Sequence, residues 1–499
     1  MLLYLNHQSS NIIVIMKKRT ILSLLLVCSL QFMQAQNGKE ISTISIVPEH
    51  IIRDVSSHPI GMNLNFFMDG GRYPNARHSV KEAMQEMGMK FLRYPGGEKS
   101  DLYLFDLDNN GKPVIKFARK GPKLTQDYQE VLINSEKLKY PPLDFDEYIK
   151  MCRQIGAEPV VVVAADRYLH DTDSENTVTS KEELIKHAVK WVKYANITKG
   201  YHIRYWMIGN ESWNDNNTHS TAEIYAHDVV DFSRAMKAVD PSILIIPNTH
   251  KEPFTRTLIE IAGKHFDRIA VSNYPVYQYY AGYNSYRDSV QWLAGPTTSV
   301  LTTIRKYATP EQQKQWKIIV AEYGAIDWSQ SWPDINDMGH AIVTFDMTGE
   351  LLKMPEVDHA CFWNTRWLRN SIPPLADHDA LNDNGEITPV GRSVMIWGKY
   401  MLDNLVELQS CPQVKGYATL SSDKQKIRLF LANKFPDPIK VNFKIGDKEK
   451  IGAIKQLATL YGKSPEDRNP QWSEKMQIHS DIVLLAGNSI TVLEMETTK

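Results

Sequence analysis

The eleven residues Ile203–Trp213, IRYWMIGNESW, carry the reading of the whole chain. Ile203, Tyr205, Trp206, Met207 and Ile208 form a short apolar run that reads as a buried strand. Gly209 breaks the run, and Asn210 and Glu211 follow side by side. An apolar strand that delivers an amide and a carboxylate at its carboxyl end is how a (β/α)8 barrel presents reactive groups. A second stretch, KIIVAEYG at Lys317–Gly324, repeats the pattern and ends in Glu322.

On either side of these two stretches, strand and helix signals alternate. Strands are predicted at Ile60–Phe66, Phe91–Tyr94, Pro159–Ala164, the Asn210 stretch, Ile243–Pro247, Arg268–Ser272, the Glu322 stretch and His359–Trp363. Helical patterns separate them, among them Ser79–Met87, Phe145–Ile155, Lys181–Tyr194 and Met338–Leu352. The helix after the fourth strand is expected to open with a capping box at Ser220–Glu223. Eight such units predict an α/β chain built on a (β/α)8 TIM barrel. A long excursion, Glu98–Pro142, interrupts the second unit, and loops of that length usually serve a function. Beyond Leu405 the helical period gives way to short strands divided by turn residues, which predicts an additional C-terminal antiparallel β-sandwich. Ile41–Pro48 alternates apolar and polar residues and is expected to join that sandwich.

The start of the chain reads as a targeting segment. Lys17, Lys18 and Arg19 precede the apolar run Ile21–Leu30, and Gln31–Ala35 ends in a small residue. This predicts a signal peptide over 1–35, with Met16 as the true start and a secreted or periplasmic product. A lipoprotein reading through Cys28 is second, because Val27 stands where a small residue is wanted. The remaining organisation is a strand within 36–48, the barrel over 49–402 and the sandwich over 403–499. No later run reaches the roughly 20 apolar residues of a membrane helix. A formal net charge of −1 over 499 residues argues against a nucleic-acid partner. Cys152, Cys361 and Cys411 are widely spaced and read as buried small hydrophobes. His202, His250 and His359 make no ligand set, so neither metal nor cofactor is expected.

Two glutamates on strands 4 and 7 face one another across a barrel mouth. Cleaving a glycosidic bond needs one carboxylic acid to protonate the leaving oxygen, and a retaining mechanism needs a second carboxylate as nucleophile. Glu211 and Glu322 are the catalytic candidates. Asn210 is placed to bond a sugar hydroxyl, and Arg93 to orient a carboxylate. Asn65, Asp166, Asn273, Tyr274, Trp213, Trp363 and Asn364 sit at or just beyond strand ends and complete the candidate substrate-binding set. Against these stand plainer readings. A strand-end carboxylate is often merely solvated, Arg93 could serve an ion pair, and Gly96 and Gly97 could make only a turn. Trp213, Trp328, Trp332 and Trp367 could line a cleft or pack a loop.

With these residues in place, the chain resembles the clan-A retaining glycoside hydrolases, and most of all their α-L-arabinofuranosidase type. The pieces that match are RYPGG (Arg93–Gly97), IGNES (Ile208–Ser212), VAEYG (Val320–Gly324) and TPVGRSVMIWGKY (Thr388–Tyr400). The resemblance implies Glu211 as acid/base, Glu322 as nucleophile, and Arg93 and Asn210 as contacts to nucleophile and substrate. It departs where the family often carries a glutamate at the end of strand 1. Asn63 and Asn65 stand there instead. Tyr323 follows the nucleophile in place of the usual tryptophan, and the loop DHDALNDNG (Asp377–Gly385) is particular to this chain. The expected activity is hydrolysis of an oligo- or polysaccharide by double displacement, with an α-L-arabinofuranoside first. Other clan-A specificities come next, such as a β-glycosidase or an endo-acting enzyme on galactan- or xylan-like chains, and then a non-catalytic glycan-binding protein on the same fold.

Overall fold

The computed structural model describes residues 41–166, 168, 176–214, 220–275, 282–289, 292–329, 331–368, 375–446 and 453–497. The expected signal peptide lies outside them. Eight parallel strands close into a barrel, each paired with its neighbours in sequence and the eighth with the first. They are Ile60–Asn63, Phe91–Tyr94, Glu158–Val163, Tyr205–Ile208, Leu244–Thr249, Ile269–Asn273, Ile318–Tyr323 and Val357–Phe362, here strands 1 to 8.

Alternation along the strands fills the barrel. Phe91, Val160, Val162, Tyr205, Met207, Ile246, Ala270, Ile319, Ala321 and Cys361 point inward and pack on one another. The opposite faces of the strands pack under the helices in a larger apolar cluster. Toward the carboxyl ends the interior turns polar, with Asn63 and Arg93 continuing the inward rows at full burial.

The edges differ from the sequence reading for local reasons. Strand 1 stops at Asn63 because Asn65 and Asp69 fold the chain back, with Asp69 accepting the Asn65 amide (2.8 Å). The helix after strand 4 runs Ala222–Val239 with Thr221 as its cap, accepting from Ile224 N (3.2 Å). Glu223 is therefore one position too early to reach back, and the expected capping box is not formed. Within the 98–142 excursion, Tyr103–Leu107 pairs with Pro113–Phe117 as a hairpin, and a helix at Pro122–Asp127 and a second small hairpin follow.

Arg119–Lys120 pairs with Thr177–Val178, and nine further strands form one ladder. Its two halves share one apolar interior, in which Ile44, Ile46 and Phe443 meet Leu429, Leu431 and Leu493, so the sheet folds over itself as a sandwich. Ser42–Asp54 lies inside the ladder, antiparallel to Asn404–Gln409 and parallel to Ile439–Ile445. That parallel pairing is the exception in an otherwise antiparallel sheet. Trp397, from the last barrel helix, stacks on Phe430 of the sandwich at 4.5 Å and 4°.

Candidate active site

Strict alternation would turn Glu322 away from the barrel interior, because Ile319 and Ala321 already point inward. A bulge corrects this. Val271 pairs with Val320, but the next pair is Ser272 with Glu322, so strand 7 carries one extra residue. The same slip appears toward strand 8, between Val320 and Tyr323. The extra residue brings Glu322 to the barrel mouth and leaves Tyr323 packed outward against Phe362.

Glu211 reaches the mouth by a different device. Gly209 takes φ +67° and Glu211 itself takes φ +47°, a left-handed conformation that a glutamate adopts only when its surroundings impose it. Asn248, at the end of strand 5, imposes it. Its Oδ1 accepts from Ser212 N (2.7 Å), and its Nδ2 donates to Ser212 Oγ (3.0 Å) and Ile208 O (3.1 Å). Tyr225 adds a bond from its hydroxyl to Ile208 O (2.6 Å), and Asp101 accepts from Asn210 N (3.2 Å). Sequence reasoning missed Asn248, Tyr225 and Asp101. Nothing in their local sequence marks them, since their role exists only across strands.

Arg93 joins the two glutamate turns. Its guanidinium is fully buried and donates from Nη1 to Glu322 Oε1 (3.0 Å) and Asn63 Oδ1 (2.7 Å), and from Nη2 to Asn210 Oδ1 (2.6 Å). Tyr274 donates to the other Glu322 oxygen at 3.0 Å. Burial pushes the Glu322 carboxyl up, while the charge of Arg93 and the bonds from Tyr274 and Arg93 pull it back toward ionisation. Glu211 keeps part of its surface open, yet burial first and the Glu322 charge second push its carboxyl up to about 8. Two carboxyls in one site cannot both be charged cheaply, and among the described residues the cation bonded there, Arg93, touches Glu322. The proton therefore belongs on Glu211 and the negative charge on Glu322.

The other candidates divide. Tyr274 is in contact with Glu322, and the half-exposed Trp328 meets it edge-on at 5.6 Å. Trp363 is buried against Gly97, whose φ of +47° and missing side chain admit the indole; a Cβ there would lie 1.9 Å from the ring. Gly97 thus does more than turn the chain. Asn364 is buried with neither polar atom of its amide bonded among the described residues. Trp213 stacks on His250 at 4.1 Å beside the Glu211 turn. Asp166 is buried behind Gly209, where a Cβ would come within 3.3 Å of its Oδ2.

Two residues proposed from the sequence are absorbed by the framework. Asn65 donates to Arg366 O (3.1 Å) and accepts from Phe67 N (3.2 Å). Asn273 donates to Leu293 O (2.8 Å) and accepts from Thr297 Oγ1 (2.9 Å), tying strand 6 to the helix Gly295–Tyr307. Asn63, in the place of the resembled family's glutamate, donates to Ala321 O (2.8 Å) and two further carbonyls, so it braces the barrel rim. Among the described residues one group could hold a metal ion: Asp334, Asp377 and His378, on the loops after strands 7 and 8.

An α-L-arabinofuranosidase domain model matches residues 83–292, a segment that contains Arg93, Asn210, Glu211 and Tyr274. The chain is thus similar to the clan-A glycoside hydrolases, most of all to their α-L-arabinofuranosidase type. It is 28% identical over 186 residues to a probable α-L-arabinofuranosidase C of Aspergillus niger, covering 34% of this chain and 32% of that protein. It is 25% identical over 236 residues to an intracellular exo-α-(1→5)-L-arabinofuranosidase of Acetivibrio thermocellus, covering 44% and 41%. The match thus spans about a third of the length of the fungal relative. The fold extends the likeness over nearly the whole chain. An α-L-arabinofuranosidase from Thermotoga maritima, solved with arabinose, superposes with a TM-score of 0.68 at 20% identity, covering 91% of this chain and 100% of that one. The thermostable enzyme from Thermotoga petrophila gives 0.69 at 20%, covering 91% and 99%. Barrel and sandwich therefore occur together in both.

Proposed function

We propose that this protein is a retaining glycoside hydrolase, with an α-L-arabinofuranoside as substrate and Glu322 as nucleophile. One observation carries the reading: Glu211, whose carboxyl burial and the Glu322 charge push up to about 8, stands beside a carboxylate ion-paired to a buried arginine. Glu211 gives its proton to the glycosidic oxygen as the bond to the anomeric carbon breaks, and Glu322 Oε attacks that carbon to form a glycosyl-enzyme. Charge leaves Glu322 in this step, so Glu211 is free to ionise and then takes a proton from the water that releases the sugar. Because Asn210 Oδ1 is held by Arg93, its Nδ2 is the atom left to donate to a sugar hydroxyl. Secretion belongs to the same reading, on the strength of the basic and apolar run Lys17–Ala35.

The test is hydrolysis of a panel of aryl glycosides by wild type and Glu322→Ala, with the first-formed anomer followed by proton NMR. Retention of configuration on the arabinofuranoside, and rescue of the mutant by azide to an inverted glycosyl azide, is the expected result. Inversion in the wild type would remove the double displacement. Failure of wild type on every aryl glycoside and on arabinan, galactan and xylan would remove the enzyme.

A further inference from the structure

The loop Asp377–Gly385, set apart by its sequence, has no part in the proposed chemistry. We propose that Asp334, Asp377 and His378, with His340 behind them, form a site for a divalent transition-metal ion, Zn2+ or Mn2+. Donor atoms of the first three lie within 4.8 Å of one another. Donors bound to one such ion at roughly 2.0–2.2 Å stand a little over 4 Å apart at most, so a small side-chain adjustment closes the set.

His340 supplies the independent observation. It is fully buried and stacked under Trp332 at 3.6 Å and 19°. Its Nδ1 lies 2.8 Å from Asp337 Oδ1, which fixes the direction of the ring. Its Nε2 faces Asp377 Oδ2 at 3.5 Å, and neither atom has a hydrogen-bond partner among the described residues. A buried ring nitrogen and a buried carboxylate oxygen left without partners cost free energy, which a cation bound between them would recover. A carboxylate behind a histidine, fixing its tautomer and direction, is how metal-binding imidazoles are held. His378 Nδ1 completes the group, 2.8 Å from Asp377 Oδ1 and 3.8 Å from Asp334 Oδ1. Imidazole beside carboxylate selects Zn2+ or Mn2+ over the all-oxygen preferences of Ca2+ and Mg2+. Asp334 is more than half exposed, which gives an ion a way in.

The ion would fasten the loop after strand 8 to the start of the helix Met338–Leu352 that follows strand 7. His378 O accepts from Asn364 N at 2.7 Å, and Trp367 meets the His378 ring edge-on at 5.5 Å. The fastening is therefore one residue removed from Trp363 and Asn364. Its role is to hold that wall of the cleft.

Protein dialysed against EDTA and then titrated with Zn2+, and separately Mn2+, by calorimetry tests this. One ion per chain with at least one of the two metals is expected, together with a rise in Tm that EDTA reverses. Asp334→Asn and His378→Gln, each shown folded by its circular dichroism, should weaken binding about 10–100-fold. Binding that neither substitution weakens would overturn the site. So would the absence of binding by either metal, with a doubly protonated His340 in nitrogen NMR showing that an imidazolium bridges the two aspartates instead.

Discussion

Arg93 holds Glu322, Asn63 and Asn210 from a single buried guanidinium, so its removal has effects of two kinds. Arg93→Met leaves Glu322 buried without its cation, a change that costs about 3–5 kcal/mol of stability where buried pairs have been broken; chemical denaturation measures it. In the same variant kcat/KM should fall about 10²–10³-fold, and the acidic limb of its pH profile should move upward because Glu322 now ionises less readily. Glu211 gives the opposite sign. Its folded-state carboxyl is pushed up to about 8 from an ordinary 4.5, so the native state binds a proton that the unfolded chain releases between those values. The contribution of Glu211 to stability is therefore complete below pH 4.5 and is lost as pH rises to 8. Glu211→Gln removes that decline. Its Tm should exceed that of wild type by a margin that widens from pH 4.5 to 8 and then levels, while activity is lost. The wild-type rate should fall as pH rises through about 8, when Glu211 loses the proton it must donate.

Among the elements, strand ends rather than strand bodies decide what the site contains. Asn248 holds the strand-4 turn by three bonds, so Asn248→Ala frees Glu211 from its left-handed conformation. We expect a loss of about 1–3 kcal/mol from the bonds left unmade, read by denaturation, and a fall in kcat larger than any rise in KM. The eight strands, their order and both glutamates were legible in the sequence because apolar runs and their stops are local. The path of the chain beyond a strand end is not local. Asn65 and Asn273 occupy rim positions as promising as Asn210, yet their amides bond loop backbone and a helix, which no local pattern records. The bulge in strand 7 was likewise hidden. Ile319, Ala321 and Glu322 alone do not say which residue breaks the alternation, and only the pairing with Ser272 does. The shift of the helix cap from Ser220 to Thr221 is a milder case, since both residue types can cap.

Across the whole molecule, barrel and sandwich are bound by more than their linker. Tyr417 donates to Asp346 O (2.9 Å) and Glu350 Oε1 (3.0 Å) of the helix after strand 7, and Lys415 pairs with Glu350 (2.9 Å). Pro465 O and Asp467 O accept the first amides of that helix, from Gly339 and Met338. A chain ending at residue 402 would expose Trp397 and Phe345, which pack under Phe430 and Tyr417. It should be recovered in aggregates, and limited proteolysis of any soluble fraction should cut within Met338–Leu352. The position of Ser42–Asp54 between Asn404–Gln409 and Ile439–Ile445 also matters in time. The ribosome makes this strand some 350 residues before its partners, so it leaves the tunnel with nothing to pair with. Until the last hundred residues emerge, its alternating apolar side chains and open backbone edge are available to any other chain nearby. The sandwich can close only when Ser42–Asp54 meets those later strands, and a pulse of synthesis halted after the barrel should leave residues 42–54 as the segment captured by chaperones.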